Sequence, residues 1–408
     1  YRDALAEAWR DWQKRPEVTW THTWQKAQRL QARTWYRDGE AFAQRLMGPG
    51  PFLNHGTRVP YSIELMEPDM VPMDFSDEGR GIRQGIERDA WGRRRNFWVY
   101  KRHPGDIAGL ATLGDMKPIA AERMLQLAQL DRIGQLRGVT RFASVITRLS
   151  DIKDYEESER IAAKVAAMLT AYVKRQAPDG GGYETENDPE TGLPKPREIS
   201  LSPGTIIDTL AVGEEIGLID SKRPNPNLVT FRQGQIRMFA AGVGASYSSL
   251  SRDYNGTYSA QRQELVEQFV HYACLTDDFT GMFVAPVVED FRFVADASGV
   301  VPVPKDVKPG TEDDVLFIAP SMPWIDPLKE ASAYLALAQA GFASEVEIIR
   351  RRGGNVDTVL SQIAEFRKAA ADKGLVFNSA SAWQSLAQGL ASGPQADTNT
   401  ETGASPNE

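Results

Sequence analysis

The chain has 408 residues, with 47 Lys and Arg against 55 Asp and Glu, a formal charge of −8, 41% hydrophobic and 25% charged residues. At roughly 150 residues per domain this length suggests two or three packed units of ordinary globular composition. One cysteine, Cys274, excludes a disulfide framework or multi-thiolate metal site, no apolar run approaches the ~18 residues of a membrane-spanning helix, and a net acidic chain is a poor candidate for gripping DNA tightly through its phosphates.

The start at Tyr1, without Met and inside a helical pattern, suggests missing upstream residues and carries no signal-peptide pattern. The first fifty residues are amphipathic and aromatic. Seven of the nine tryptophans precede residue 100, and Trp9/Trp12 and Trp20/Trp24 have the i,i+3 and i,i+4 spacing that lets each pair share a helix face as a packing anchor. Gly48-Pro-Gly-Pro51 is expected to end this helical part. Residues 60–103 read as strands at Tyr61–Leu65 and Asn96–Tyr100, with a turn at Asp89–Gly92. Between Arg80 and Arg102 eight basic residues face two acids, including Arg93-Arg-Arg95. Such a run is either a solvated strand end or a phosphate contact.

From Val139 to Arg175 apolar residues recur every three or four positions (Phe142, Val145, Ile146, Leu149, Ile152, Tyr155, Ala162, Val165, Leu169, Tyr172) without Gly or Pro. The spacing predicts one helix of 37 residues, about 55 Å long, more than a compact domain needs and therefore suited to packing between chains. Ala177-Pro-Asp-Gly-Gly-Gly182 stops it. Residues 183–226 read as a turn-rich module with strand pieces at Glu198–Leu201 and Thr205–Leu210. Pro226 opens a helix through Val243, a polar loop spans Gly244–Gly256, and Leu265–Ala273 mark another helix. Between 277 and 314 nine acids face three bases in what read as Pro/Gly-punctuated loops. Asp326-Pro327 opens a helix that stops at Gly341, Ser344–Glu347 is a capping box for a second, and Asn355 starts a third that runs to Gly374. Beyond about 391 the composition is that of a disordered tail.

No catalytic constellation emerges. There is no phosphate-binding Gly-rich loop ending in Lys-Ser/Thr and no Gly-x-Ser-x-Gly elbow. His22, His55, His103 and His271 lack metal-ligand spacing, and His103 reads as a loop or packing residue. The pairs Glu289-Asp290 and Asp313-Asp314 leave one enzymatic alternative, a metal-dependent nucleic-acid-processing enzyme built on the acidic 289–314 region. Adjacent acids on a strand, however, would point to opposite faces. No catalytic, cofactor or metal residue is assigned.

Four stretches in order carry a family resemblance. They are Trp35-Tyr-Arg-Asp-Gly-Glu-Ala-Phe42 with Ile63-Glu-Leu-Met-Glu-Pro-Asp69 and Gly85-Ile-Glu-Arg-Asp-Ala-Trp-Gly92; Gly134-Gln-Leu-Arg-Gly138; Ala240-Ala-Gly-Val-Gly-Ala-Ser-Tyr247 through Leu250-Ser-Arg-Asp-Tyr254 and Tyr258-Ser; and Trp324-Ile-Asp-Pro-Leu-Lys-Glu330 with Ala340-Gly-Phe342. Over about residues 5–375 the chain resembles the lambda-type portal proteins of tailed double-stranded DNA phages. It departs in starting late and in a short 177–225 segment.

The resemblance implies an α+β portal-protein fold with an α/β wing, long stem helices, a small β-containing clip and a C-terminal helical crown. By analogy the wing is 1–138, a stem helix 139–176, the clip 177–225, a second stem helix 226–243, further wing 244–324, the crown 325–375 and a mostly disordered tail 376–408. It also implies a non-enzymatic ring, usually of twelve subunits, at one capsid vertex of the virion, assembled in the host cytoplasm. Double-stranded DNA passes through that ring during packaging and ejection. The implied partners are the terminase large subunit, head–tail adaptor proteins, and the major capsid and scaffold proteins, with no membrane. The tunnel loop is placed at 244–258, with 291–311 as rival. Because each cation on a phosphate deepens binding, a conduit suits an acidic ring with few placed cations. The DNA-channel candidates are Lys174 and Arg175, ending the long helix, and Arg252, Asp253, Tyr254 and Asn255 in the loop.

Overall fold

The computed structural model describes residues 1–51, 53–106, 113–168, 172–175, 214–217, 227–308, 310–312, 315–320 and 327–375, with side chains of the third helix described to residue 164. The chain divides into two compact units, Tyr1–Pro304 and Lys305–Glu408.

The first unit opens with α1 (Arg2–Trp12) and α2 (Trp24–Asp38), and α2 ends where Gly39 takes a left-handed conformation. The helical part therefore ends at Gly39, not at Gly48. Residues Glu40–Met47 form β1, the central strand of a sheet ordered β2-β1-β7, with β2 at Tyr61–Met66 and β7 at Met124–Ala128. The Glu/Ala/Gln/Arg/Leu/Met content of β1 favours a helix locally. Antiparallel pairing on both edges overrides that preference.

Strand alternation then builds two cores. Ala41, Ala43, Tyr61, Ile63, Leu125 and Leu127 face one way into a cluster with Trp12, Trp24, Phe283 and Phe291. Phe42, Met66 and Met124 face the other way, against the second sheet. The small Ala41 and Ala43 leave room for the indoles. Trp9 stacks on Trp12 at 4.8 Å, Trp12 on Tyr61 at 5.6 Å, and Trp24 on Phe283 at 5.3 Å. The Trp12 indole N–H donates to the Tyr61 carbonyl at 2.8 Å, which removes the cost of burying it. Trp9, Trp12 and Trp24 are packing anchors, as their spacing predicts, but Trp20 is not: it lies before α2 begins, in a left-handed turn with φ 58°, 41% exposed, so it shares no helix face with Trp24.

The second sheet is ordered β3-β4-β5-β6, with β3 Ile82–Arg83, β4 Ile86–Arg88, β5 Arg94–Tyr100 and β6 Met116–Ala120. The predicted turn at Asp89–Gly92 joins β4 to β5. Its Asp89 carboxylate accepts the amides of Trp91 and Arg93 at 2.9 and 2.8 Å.

The predicted rod over 139–175 is broken. Thr140 caps a 3₁₀ turn at Arg141–Ser144, Val145 leaves helical geometry, and α3 runs only Ile146–Met168, 23 residues or about 35 Å. Tyr172–Arg175 is strand β8, antiparallel to β9 (Glu214–Gly217). Spacing of three and four reports a helix interior but not its ends, and the β8–β9 pairing is non-local. The strand pieces expected at Glu198–Leu201 and Thr205–Leu210 lie outside the described residues.

The longest rod lies elsewhere. After α4 (Leu228–Val243) and the short α5 (Tyr247–Ser251), α6 (Tyr258–Phe279) continues through a π-helical turn at Thr280–Val284 directly into α7 (Ala285–Ala297). The acidic residues 289–296 thus sit on a helix, not in a loop. Pro286 would clash with the carbonyl four residues back in a regular helix, and the wider π turn just before it relieves that clash. The inserted residue also rotates the face of α7 by about 100°, so Val287, Phe291, Val294 and Ala295 meet the tryptophan core.

Among its described residues the second unit holds three helices. These are α8 (Pro327–Gln339), α9 (Glu345–Arg351), capped by the Ser344 hydroxyl on the Glu347 amide at 3.1 Å, and α10 (Val356–Asp372), capped by Asn355 on Thr358 at 3.0 Å. They start and stop where the capping residues predict, and Asp326 itself lies outside the described residues.

Candidate functional site

The segment from Gly244 to Thr257 is not the open loop its polar composition suggests. Gly244 ends α4 in a left-handed conformation, the Ser246 hydroxyl caps α5 on the Ser249 amide, and the Thr257 hydroxyl caps α6. The Ser248 amide and hydroxyl both donate to Glu264 of α6, at 3.1 and 2.7 Å, and the Ser249 hydroxyl donates to Gln268 at 3.1 Å. The serines that look like flexible loop are rivets between α5 and α6.

Arg252 closes α5 with φ 59° and is exposed. Asp253 accepts the Tyr247 hydroxyl at 3.1 Å and the Asn255 amide at 3.2 Å, so it holds the turn together. Tyr254 is exposed, and its carbonyl accepts the Gln261 side chain. Asn255 is exposed at the tip. Lys174 and Arg175 do not end a helix. They lie on β8, in register opposite Glu215 and Glu214, and so belong to a different element from Arg252–Asn255.

Sequence reasoning missed a corner where three of the four resembling stretches meet. Glu40 and Arg137 form a fully buried ion pair, with Arg137 Nε donating to Glu40 Oε1 at 2.7 Å. Arg137 Nη1 also donates to the Gln84 carbonyl at 2.8 Å, and Glu40 Oε2 accepts the Gly138 amide at 3.1 Å and the Gln126 side chain at 3.1 Å. A Cβ on Gly138 would overlap the Gly39 carbonyl, and one on Gly242 would overlap the Val145 side chain. The Tyr36 hydroxyl donates to the Val243 carbonyl, and burial holds its pKa above the ordinary tyrosine value, so it stays a donor. Phe142, Val145, Phe239 and Val243 pack beside it. This corner fixes where α3 begins and where α4 ends. The available signal was Gly134–Gly138: an Arg between glycines at the entry to a helix.

Beyond that corner α3 and α4 are thinly covered. Tyr155 meets Phe231 at 4.7 Å and Arg232 pairs with Glu156 at 2.7 Å, yet no described side chain of α3 is buried. Leu149, Ile161, Val229, Phe231 and Met238 are exposed. A groove of about 890 Å³ runs between α3, α4 and α5, lined by Leu149, Ile152, Glu156, Ile236 and Leu250 among others.

The carboxylates proposed for metal chemistry do not come together: one is engaged, one points into solvent and two lie outside the described residues. Asp290 is buried, accepting Arg45 at 3.2 Å and the Tyr61 hydroxyl at 3.0 Å. Burial pushes its carboxyl above the ordinary range against the pull of Arg45 and Tyr61. Glu289 is exposed on the same helix, and Asp313 and Asp314 lie outside the described residues. Glu67, Asp69 and His103 bring ligand atoms within 4.8 Å of one another. The donor set does not fit a cation well. His103 Nδ1 accepts the Gly105 amide at 3.0 Å, which leaves the ring proton on Nε2, facing Glu67 at 3.3 Å. Ligation through Nε2 would need that proton on Nδ1, where an amide hydrogen already points. No helix among the described residues is long and apolar enough to cross a membrane.

A sequence model described as phage portal protein, lambda family, matches residues 1–275, which span the tryptophan core, the Glu40–Arg137 corner and α3 to α5. The chain belongs to that family. Lambda-family portal proteins are structural, not enzymatic. The chain is 25% identical over 375 residues to the probable portal protein of Halomonas phage phiHAP-1, covering 89% of this chain and 70% of that protein. It is 24% identical over 250 residues to the portal protein of Escherichia phage N15 (56% and 47%) and 23% identical over 320 residues to portal protein B of Escherichia phage lambda (71% and 56%). It therefore spans 47–70% of the length of these relatives. Among solved structures, it has a remote likeness to a chain in the neck of an empty gene transfer agent particle. There the TM-score is 0.38 and the identity 11%, over 85% of this chain and 82% of that one.

Proposed function

We propose that this chain is the repeating subunit of a portal ring at one vertex of a phage capsid, through which double-stranded DNA is packaged by a terminase motor and later ejected into the tail. The observation that carries the proposal is the family match across residues 1–275. The geometry supports it at α3 and α4. A helix of 23 residues without a buried side chain among those described has no reason to be stable in one subunit, since helical stability in proteins comes mainly from a packed apolar face. Neighbours on both sides supply that face. A groove on one side of a subunit, filled by a different surface of the next, is a head-to-tail contact, which closes into a ring when the rotation permits.

In this reading α3 and α4 are stem helices, β8 and β9 belong to the clip, the first unit outside these is the wing and α8 to α10 form the crown. The α4–α6 connection at 244–258 faces the channel, with Arg252 and Asn255 toward DNA. Lys174 and Arg175, opposite two glutamates, are weaker DNA candidates than a helix end would make them. The partners are the terminase large subunit, head–tail adaptors, and capsid and scaffold proteins, and the location is the virion after assembly in the host cytoplasm.

Native mass measurement and negative-stain imaging of the purified chain test the proposal. Closed rings of about twelve subunits with a hole wide enough for duplex DNA are expected. A monomer that persists at high concentration, or a ring too narrow for a duplex, refutes it.

A further inference from the structure

One feature singled out in the sequence has no place in the ring. The stretch 80–102 carries +6 in a chain of −8, so the remainder carries −14. Structure concentrates much of that charge at the tip of the β4–β5 hairpin, where Arg93, Arg94 and Arg95 are exposed and Arg88 is half-buried, although the Arg94 guanidinium is partly desolvated, which lowers its pKa, and feels the Glu40 carboxylate. None of the four has a carboxylate partner within salt-bridge distance among the described residues. The two acids of the stretch are committed elsewhere: Glu87 accepts Asn96 Nδ2 at 2.9 Å, and Asp89 accepts the two turn amides.

Arg88 and Arg94 stand directly opposite each other across a break in the strand register. Like charges facing each other across an antiparallel pair lower stability, and bulges of this kind gather beside binding sites. The arrangement is one that an anion would relieve. At the apex Trp91 is 86% exposed, although the turn carrying it is fixed by the Asp89 bonds and by a left-handed Gly92. Leaving an indole in water on an ordered turn is unexplained by folding.

We propose that this hairpin tip is a sequence-independent contact for the DNA phosphate backbone. Clustered guanidiniums and no lysine suit bidentate binding of phosphate oxygens, and a rigid exposed indole offers an apolar face to the backbone sugars. The acidic remainder of the chain repels the same polyanion, so this tip is a local exception to the chain's charge. The identity of the polyanion rests on the portal reading, in which DNA is the molecule handled.

The test is fluorescence anisotropy of the full chain with a short labelled duplex over a range of salt. Three phosphate contacts contribute about 2.7 to the slope of log K against log salt, so Arg93→Ser/Arg94→Ser/Arg95→Ser should lower the slope by about that much. Trp91→Ala should weaken binding at every salt and leave the slope unchanged. Tryptophan fluorescence and native mass of the same samples verify folding and assembly. Intact rings whose slope is unaffected by the triple substitution overturn this inference and leave the portal reading standing. A monomer that loses about 2.7 of slope on substitution does the reverse. Poly-glutamate that displaces the duplex as effectively as unlabelled DNA at equal charge also overturns it, in favour of an acidic protein partner.

Discussion

Replacing Arg137 by Met removes a guanidinium that is 3% exposed while keeping much of its apolar stem. The substitution leaves the Glu40 carboxylate, 2% exposed, with only the Gly138 amide and Gln126, and it leaves the Gln84 carbonyl without its donor. Breaking one side of a buried ion pair costs about 3–5 kcal/mol, because the survivor is a desolvated charge. Glu40→Gln should cost a similar amount from the other side. The double variant Glu40→Gln/Arg137→Met strands no charge and should be about 2 kcal/mol or more above the stability that the sum of the singles predicts, because contacting residues are strongly coupled. Urea unfolding followed by tryptophan emission reads this directly, since seven of the nine tryptophans precede residue 100 in the same compact unit. Single variants within about 1 kcal/mol of the parent, or strictly additive losses, would refute the claim that this pair holds the corner together.

Gly242→Ala forces a methyl into the Val145 side chain and should cost about 1–3 kcal/mol, measured in the same urea assay, while Gly281→Ala, with open space at its Cβ, should cost far less. Glu17 is buried. Burial raises its pKa, but the amides of His22, Thr19 and Thr21 and the Thr19 hydroxyl outweigh this, and the net shift is downward from 4.5. Its contribution is present above the unfolded pKa and lost as pH falls through the lower folded value. Glu17→Gln should therefore lose about 1–3 kcal/mol at neutral pH and show a flatter acid limb in thermal melts at a series of pH values. In the second unit, Ser344→Ala removes the α9 cap and should cost about 1 kcal/mol, read as lost helical circular dichroism at intermediate urea.

Local signals were legible wherever the chain's own chemistry ends an element. Ser344, Asn355 and Gly341 bracket the C-terminal helices, Asp89–Gly92 makes the predicted turn, and tryptophans at helical spacing meet in one core, because caps, turns and amphipathic faces act over three or four residues. The family stretches were legible too, but not what they do. Glu40 and Arg137, nearly a hundred residues apart, look like surface charges until folding buries one against the other.

The sequence by itself determined the class of the protein, its acidic balance, the basic hairpin and the helical C-terminal unit, since composition and short-range periodicity carry those. Tertiary structure decided that Glu40–Met47 is a strand, that the helix expected over 139–175 stops at Met168, that the long rod is instead 258–297, and that Ser248 and Ser249 rivet two helices. Each of these depends on partners far along the chain. Strand pairing, a π turn that rephases a helix and a buried ion pair gain their free energy only once distant segments meet, and no local pattern records that gain.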